Sequence, residues 1–328
     1  MEETSSDDLP GVRRMLLNQG LSSETVNLIM QSWRGGTKAQ YRPHLKKWFQ
    51  YCIDKNLDPH EPGTANALQY LTGIFHEGSS YSVINTTISA MSIVIKHEGN
   101  LSFGKLPLVK RLLKGVYELR PVFPKYTFIW DVKTVFEYFR SLPEPDKLNL
   151  KTLSQKLAML LSLLSGGQRC QTIHSINIVD MIVTENSIII PIMSKLKQSK
   201  PGQHMSPMQF KGYPNEKKLC VVTHLSVYLE RTKHLRKSPL LFIATIKPHN
   251  PVSRDTISRW CKEVLKNSGI NTNIFSSHSS RSAASSNAKL KGVEMKTIIS
   301  NAGWKNERTF AKHYDKIVLS EETVEKLC

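Results

Sequence analysis

Cysteine is scarce in this chain: five in 328 residues, at Cys52, Cys170, Cys220, Cys261 and Cys328, with no Cys-x-x-Cys pair. A scattered, odd-numbered set argues against a disulfide framework and against a cysteine zinc site, and it fits a reducing compartment. No apolar run approaches the roughly 18 residues that a membrane span requires. The N-terminus carries Glu2, Glu3, Asp7 and Asp8 where a secretory leader would have a basic start and an apolar core, so no ordinary signal peptide is expected. Internal repeats and low-complexity segments are absent. Acid is in short supply too: 27 Asp+Glu stand against 45 Lys+Arg, a formal charge of +18. Such an imbalance favours polyanions through counterion release, with nucleic acid ahead of a membrane surface or an acidic protein.

The rest of the composition is that of a globular protein, with 40% hydrophobic and 22% charged residues. The length suits two domains. Residues 1–20 read as a flexible tail, and helical periodicity occupies 21–118. Ser22-Ser23-Glu24 starts one helix, and Gly35-Gly36 signals its end. Thr37 caps the next, which carries Tyr41, Leu45, Trp48, Phe49 and Ile53, with Pro43 in its first turns where a missing N–H costs little. Ala67, Leu68, Leu71, Ile74 and Phe75 mark a third helix; Ile84, Ile88, Met91 and Ile95 mark a fourth over 82–97. A fifth, near 106–116, presents Lys110, Arg111 and Lys114, with Lys105 just before it. That basic stripe is either a solvated helix face or a surface that lies along a phosphate backbone.

Pro121 and Pro124, among aromatic and basic neighbours, make 119–128 an inter-domain linker and leave 129–328 as a second domain. Asp131 opens a helix there. Another, over 151–164, buries a stripe of Leu153, Leu157, Leu160, Leu161 and Leu164 and ends at the turn Ser165-Gly166-Gly167. The β-branched residues Ile176, Ile178, Ile182, Val183 and Ile188 to Ile190 predict strands that turn at Glu185-Asn186, and a third short strand is predicted at 219–222. A polar, basic loop holding Lys195, Lys197 and Lys200 precedes Pro201-Gly202. Helices are predicted over 223–234, 253–267, 279–291, 295–301 and 307–314, and a short one over 319–327. The expected fold class is mainly α with a small antiparallel β-sheet in the second half.

The chemistry concentrates near the C-terminus, in Ser277-His278-Ser279-Ser280-Arg281, then Gly303-Trp304, then Phe310-Ala311-Lys312-His313-Tyr314. His278 and Arg281, three residues apart at a helix start, share one face. A guanidinium there can clamp two phosphate oxygens while the imidazole moves a proton. The bland alternative is a helix N-terminus with capping serines. Arg169, just past the glycine turn, is either a surface residue or a guanidinium aimed from a rigid turn. Lys197 is either a solvated loop charge or a long-stemmed general acid. Trp304 can pack with its ring and donate through its indole N–H. The Tyr314 phenol, ordinarily of pKa about 10, needs a cationic surround to serve as a nucleophile.

The order Arg169, Lys197, His278-x-x-Arg281, Trp304, Tyr314 resembles the tyrosine recombinase (phage integrase) family. Ser165-Gly166-Gly167-Gln168-Arg169 resembles its first arginine motif, His278-Ser279-Ser280-Arg281 its second box, Gly303-Trp304 its His/Trp position, and Phe310 to Tyr314 its nucleophile box. The wording is most similar to the recombinases of DIRS-type retrotransposons and related eukaryotic elements, whose Lys-x-Ser-Arg-Pro-Gly segment reads here as Lys197-Gln198-Ser199-Lys200-Pro201-Gly202. Where the family commonly has an acidic residue three positions past its first arginine, this chain has Thr172. His313 is a second imidazole beside Tyr314, expected to pack or hydrogen-bond locally.

The resemblance implies an N-terminal helical core-binding domain and a C-terminal α+β catalytic domain that clamp double-stranded DNA. It implies strand cleavage and rejoining through a 3′-phosphotyrosyl intermediate on Tyr314, with Arg169, Lys197, His278, Arg281 and Trp304 as the other catalytic residues. No metal or small-molecule cofactor is implied. Lys105, Lys110, Arg111, Lys114, Lys195 and Lys200 are the candidate DNA contacts. A homo-oligomer on DNA, in a tetrameric synapse, and a C-terminal segment docked on a neighbouring protomer are further expectations. Nuclear residence follows from the eukaryotic-element resemblance and basic clusters such as Lys233 to Lys237. Two alternatives share the fold: a catalytically silent, domesticated DNA-binding protein, and a type IB topoisomerase-like enzyme that relaxes supercoils.

Overall fold

The chain divides into two units, Met1–Phe123 and Pro124–Cys328, in the computed structural model, which describes residues 9, 11–96, 101–196, 199, 202 and 205–319. The first unit is helical: α1 (Val12–Asn18), α2 (Ser23–Met30), α3 (Gly35–Asp54), α4 (Thr64–His76), α5 (Tyr81–Val94) and α6 (Pro107–Leu119). Serine caps set two of these starts. Ser22 Oγ accepts from the Thr25 N–H, and Ser80 Oγ from the Val83 N–H. Leu45, Trp48, Leu71, Ile84 and Met91 meet in its core, so the apolar faces fall where helical periodicity puts them. On α6, Val109 and Val116 turn inward while Lys110, Arg111 and Lys114 stay exposed.

Two expectations change here. The expected flexible tail is a helix from Val12 on, because Leu9, Val12 and Leu16 present an apolar face to the same core. Gly35-Gly36 does not end a helix but begins α3, with Arg34 rather than Thr37 at the N-cap. Pro43 consequently lies inside the helix and not in its first turns, where it supplies no N–H to the Ala39 carbonyl.

The second unit runs β1 (Phe128–Trp130), α7 (Val132–Ser141), α8 (Leu150–Leu164), α9 (Cys170–His174), β2 (Ile182–Val183), β3 (Ser187–Ile190), β4 (Met208–Lys211), α10 (Val221–Thr232), α11 (Arg254–Asn267), α12 (Ser279–Leu290), α13 (Met295–Ala302), α14 (Glu307–His313) and β5 (Ile317–Leu319). Helix α8 is its axis. Every side chain from Leu153 to Leu163 is buried, and α10, α11 and α12 pack around it. Even Lys156 is only 1% exposed, its Nζ donating to the Phe139 carbonyl at 3.0 Å. Leu164, expected on the buried stripe, is exposed, because it is the last helical residue before the chain leaves through the glycine turn.

Strands β2, β3 and β4 form the small antiparallel sheet, with Ile182 opposite Ile189 and Ile188 opposite Phe210. Its third strand is Met208–Lys211, where Met208 and Phe210 point in and Gln209 and Lys211 point out. The strand predicted at 219–222 is instead the start of α10, with Cys220 Sγ accepting from the Thr223 N–H. Ile178 sits in a short 3-10 turn. A pairing that local sequence did not announce joins the unit's two ends: β1 runs parallel to β5, Phe128 opposite Ile317 and Trp130 opposite Leu319. The segment expected as linker thus ends in a strand, and Leu319, expected to start a helix, is in a strand; the rest of that helix lies outside the described residues. Among the described residues no helix is long and apolar enough to cross a membrane.

Candidate active site

The site is built from the turn after α8 outward. Gly166 and Gly167 both have positive φ, +79° and +82°, a conformation that favours glycine. A Cβ on Gly167 would sit 2.9 Å from both the Cα and the carbonyl oxygen of Arg281. Only glycine therefore lets α12 approach this turn so closely. Ser162 fixes the turn: its carbonyl accepts from the Gly167 N–H at 3.0 Å, and its hydroxyl donates to the Gln168 carbonyl at 3.2 Å. Arg169 follows at the N-cap of α9, held at the mouth of the turn.

Helix α12 carries the second guanidinium. Its residues Ser279 to Asn287 are all buried, and serine and alanine are small enough to allow this. Arg281 is 1% exposed. Its Nη1 donates to the Gly167 carbonyl at 2.7 Å and its Nη2 to the Ala302 carbonyl at 2.5 Å. Neither acceptor is a carboxylate, so the positive charge is left uncompensated. Burial, then the neighbouring Arg169 charge, lowers its pKa to about 10, and it stays cationic at neutral pH. Its Nε is buried and has no partner.

The aromatic wall comes from the end of the chain. Gly303, with φ of 67°, closes α13 in the left-handed region and delivers Trp304. Trp304 stacks on Tyr314 at 4.6 Å and 29°, and its indole Nε1 is buried with no partner. The Arg281 guanidinium carbon lies 4.7 Å from the Trp304 ring and 5.3 Å from the Tyr314 ring. Tyr314 directly follows α14. Its carbonyl accepts from Ser286 Oγ at 2.8 Å, and Asp315 pairs with Lys289 at 2.6 Å, which pins the backbone on both sides of the phenol.

The Tyr314 hydroxyl accepts a long hydrogen bond from Arg169 Nη2, at 3.4 Å. Burial pushes the phenol pKa up, but the Arg169 hydrogen bond and the charges of Arg281 and Arg169 outweigh it, so the net shift is downward. The exposed His278 ring lies 6.2 Å from the Tyr314 ring, centroid to centroid. His313 is exposed and meets the Tyr314 ring edge-on at 6.3 Å.

A cleft of about 440 Å³ opens onto Arg169, His278, Arg281 and Tyr314. Five of the six expected catalytic side chains, those four with Trp304, are therefore together. The sixth, Lys197, lies outside the described residues, as does Lys200. Lys195 is exposed and does not line the cleft. Lys105, Lys110, Arg111 and Lys114 are exposed on the first unit. Thr172 is buried in α9. Of the basic cluster at 233–237, Lys233 and Lys237 are exposed, whereas Arg236 is spent on the carbonyls of Leu240 and Leu241.

Sequence reasoning gave no role to six groups on the cleft: Gln168, Cys170, Gln171, Arg254, Asp255 and Ser258. Gln168 and Cys170 flank the Arg169 that was singled out, so proximity was an available signal. Arg254 and Asp255 had none, since they look like the ordinary first turn of a capped helix. Among the described residues no group of three or more His, Cys, Asp or Glu is placed to hold a metal ion.

The chain matches the family model described as "Phage integrase family" over residues 137–318, more than half its length. No curated protein matches it. Among solved structures it is similar to the XerH site-specific recombinase bound to palindromic difH substrate in a post-cleavage complex, at 15% identity and TM-score 0.60, covering 100% of this chain and 90% of that one. It is similar to the Tn1549 transposon integrase in complex with transposon right end DNA, at 12% identity and TM-score 0.60, covering 96% of this chain and 98% of that one. A lambda integrase dimer bound to a COC′ core site aligns at 16% identity and TM-score 0.50, with 94% of each chain covered. At these identities the structural likeness establishes the fold. Arg169, His278, Arg281, Trp304 and Tyr314 all fall within the matched span, and the chain belongs to the phage integrase family of tyrosine recombinases.

Proposed function

We propose that Tyr314 is the nucleophile of a DNA strand-exchange reaction and that Arg169 and Arg281 bind the scissile phosphate. The observation that carries this reading is the Tyr314 hydroxyl itself. It stands on the cleft, hydrogen-bonded to one guanidinium, with a second, uncompensated guanidinium beside its ring. The phenolate oxygen attacks phosphorus, the bond from phosphorus to the 5′ oxygen breaks, and a 3′-phosphotyrosyl link remains with a 5′-hydroxyl released. The two guanidiniums offset charge on the non-bridging oxygens as the crowded transition state forms. His278 takes up the phenolic proton, and Lys197 returns one to the leaving 5′ oxygen. Trp304 buttresses the nucleophile and offers its unpartnered indole N–H to an oxygen. Attack by a 5′-hydroxyl of a partner duplex reverses the step and rejoins the strands. The ester retains the energy of the broken bond, so rejoining needs no external driving force.

The same reading covers partner and context. The net charge of +18 favours duplex DNA, and the exposed Lys105, Lys110, Arg111 and Lys114 extend a basic surface on the helical unit. The similar solved structures include a lambda integrase dimer bound to a COC′ core site; by analogy, exchange takes place between paired protomers, in the tetrameric synapse that the family resemblance implies. The DIRS-like wording of 197–202 and of the His278 box supports a eukaryotic mobile element and work in the nucleus. The test is a nicked suicide duplex that traps the covalent adduct. Wild-type protein is expected to accumulate the adduct and Tyr314→Phe to form none. Duplex binding without any adduct from the wild type favours the catalytically silent alternative, and persistence of adduct in Tyr314→Phe overturns the assignment.

A further inference from the structure

We infer that Gln168 is a positioning residue for the Arg281 guanidinium. Its side-chain amide braces the two backbone segments between which that guanidinium is strung. The inference rests on the reading of Arg281 as a phosphate clamp. Arg281 reaches one carbonyl in the turn after α8, at Gly167, and another at the end of α13, at Ala302. These segments are distant in sequence. One residue along from each acceptor, Gln168 Nε2 donates to the Asn301 carbonyl at 2.6 Å. The two bridges are adjacent rungs, and the Gln168 rung sets the span that the Arg281 fork has to cover. The segments are close-packed at the same place, since a Cβ on Gly166 would lie 2.9 Å from the Asn301 Cβ.

The amide is there for its donor and not for filling. Gln168 is 3% exposed, yet its Oε1 has no partner, and leaving a buried acceptor unsatisfied costs on the order of 1–3 kcal/mol. An apolar side chain would avoid that cost. Nor does Gln168 bind substrate through this atom. The other unpartnered atoms at the site, Arg281 Nε and Trp304 Nε1, are donors, of the kind that an anionic oxygen accepts from. Oε1 is an acceptor, and an ionised phosphodiester has no proton to give it. Gln168 therefore works through its neighbours. Gly167 is two residues from Arg169, and Ala302 is two residues from Trp304, so the brace also fixes where those two side chains leave the backbone.

The experiment measures adduct formation by the full chain on the nicked duplex, with the scissile phosphate either ordinary or carrying a methyl group in place of one non-bridging oxygen. The methylated phosphate is neutral and needs less cationic stabilisation. Gln168→Met is expected to lose about 10–100-fold on the ordinary phosphate and roughly threefold or less on the methylated one, with its fold intact. Equal losses on both substrates, or no loss, overturn the inference. Should Gln168→Met fail to fold, Gln168→Glu keeps the shape. Its carboxyl donates to Asn301 only when protonated, so its rate relative to wild type is expected to recover as pH falls; a ratio that does not change with pH overturns the inference. A wild-type protein that forms no adduct on the ordinary phosphate instead overturns the nucleophile assignment, and this inference with it.

Discussion

The two units treat polar groups in opposite ways. In the helical unit, Thr87 is the one fully buried polar residue among those described, and its hydroxyl is satisfied by His44 and the Val83 carbonyl. In the second unit α8 buries Ser154, Gln155, Lys156 and Ser162, and α12 buries five serines, Asn287 and Arg281. The first unit is stabilised by apolar faces with its cations outside. The second takes two cations inside and pairs them with backbone carbonyls, Lys156 with one and Arg281 with two. Burying an uncompensated charge costs several kcal/mol, so a structure that does so has diverted stability into a preorganised field. Under the proposed function, that field offsets the charge that develops at phosphorus.

The largest effect should come from exchanging the roles of the two kinds of cation. Arg281→Met is expected to slow adduct formation by at least about 100-fold, on the scale of losing a preorganised oxyanion donor. Arg111→Ala, on the exposed face of α6, should change it by no more than about threefold. Equal losses in the two variants would erase the distinction between the units. Arg169→Ala comes next. It removes the donor that holds the Tyr314 phenol below its ordinary pKa, so the phenol should titrate at higher pH, and the rising limb of the cleavage rate should move up with it. Ultraviolet titration, taken as a difference against Tyr314→Phe, follows the same group directly.

A smaller effect concerns Lys156, which burial brings down to about 8 from an ordinary 10.5. Between those two values the unfolded chain holds the extra proton, so wild-type stability should rise with pH across that window. Lys156→Met should lack this rise, which paired denaturant melts at several pH values would reveal. Smallest of all is the basic stripe. Lys110→Ala with Lys114→Ala should weaken duplex binding and reduce its salt dependence by about one unit of slope per lost phosphate contact, leaving adduct formation at saturating protein unchanged. An unaltered salt slope would make that stripe a solvated face.

The parts of this architecture that local chemistry encodes could be seen in advance. Ser22, Asp131 and Ser253 cap the helices they were expected to start or border, and Arg169, His278, Arg281 and Tyr314 stand on one cleft, with Trp304 stacked on Tyr314. What escaped depends on partners far away in sequence. Gly35 and Gly36 look like a helix stop but are exposed first-turn residues of α3. Leu9, Val12 and Leu16 are too few to announce a helix until a core exists to receive them. A strand as short as Met208–Lys211 has no signal of its own against Val221 and Val222, whose β-branching suggested a strand where a helix begins. The Gln168 bridge to Asn301 joins a turn to a helix end, and no periodicity encodes it.

The parallel pairing of β1 with β5 also bears on how the second unit can be cut, fused or rewired. Its entry and exit strands lie side by side, with Ile129 opposite Val318, both buried. A cut within either strand would strip its neighbour of ladder hydrogen bonds and bare an apolar edge three residues from Tyr314. The ladder is parallel, so Phe128 at the start of β1 and Leu319 at the end of β5 stand at its opposite ends, and any loop made to join them has to run back along its length.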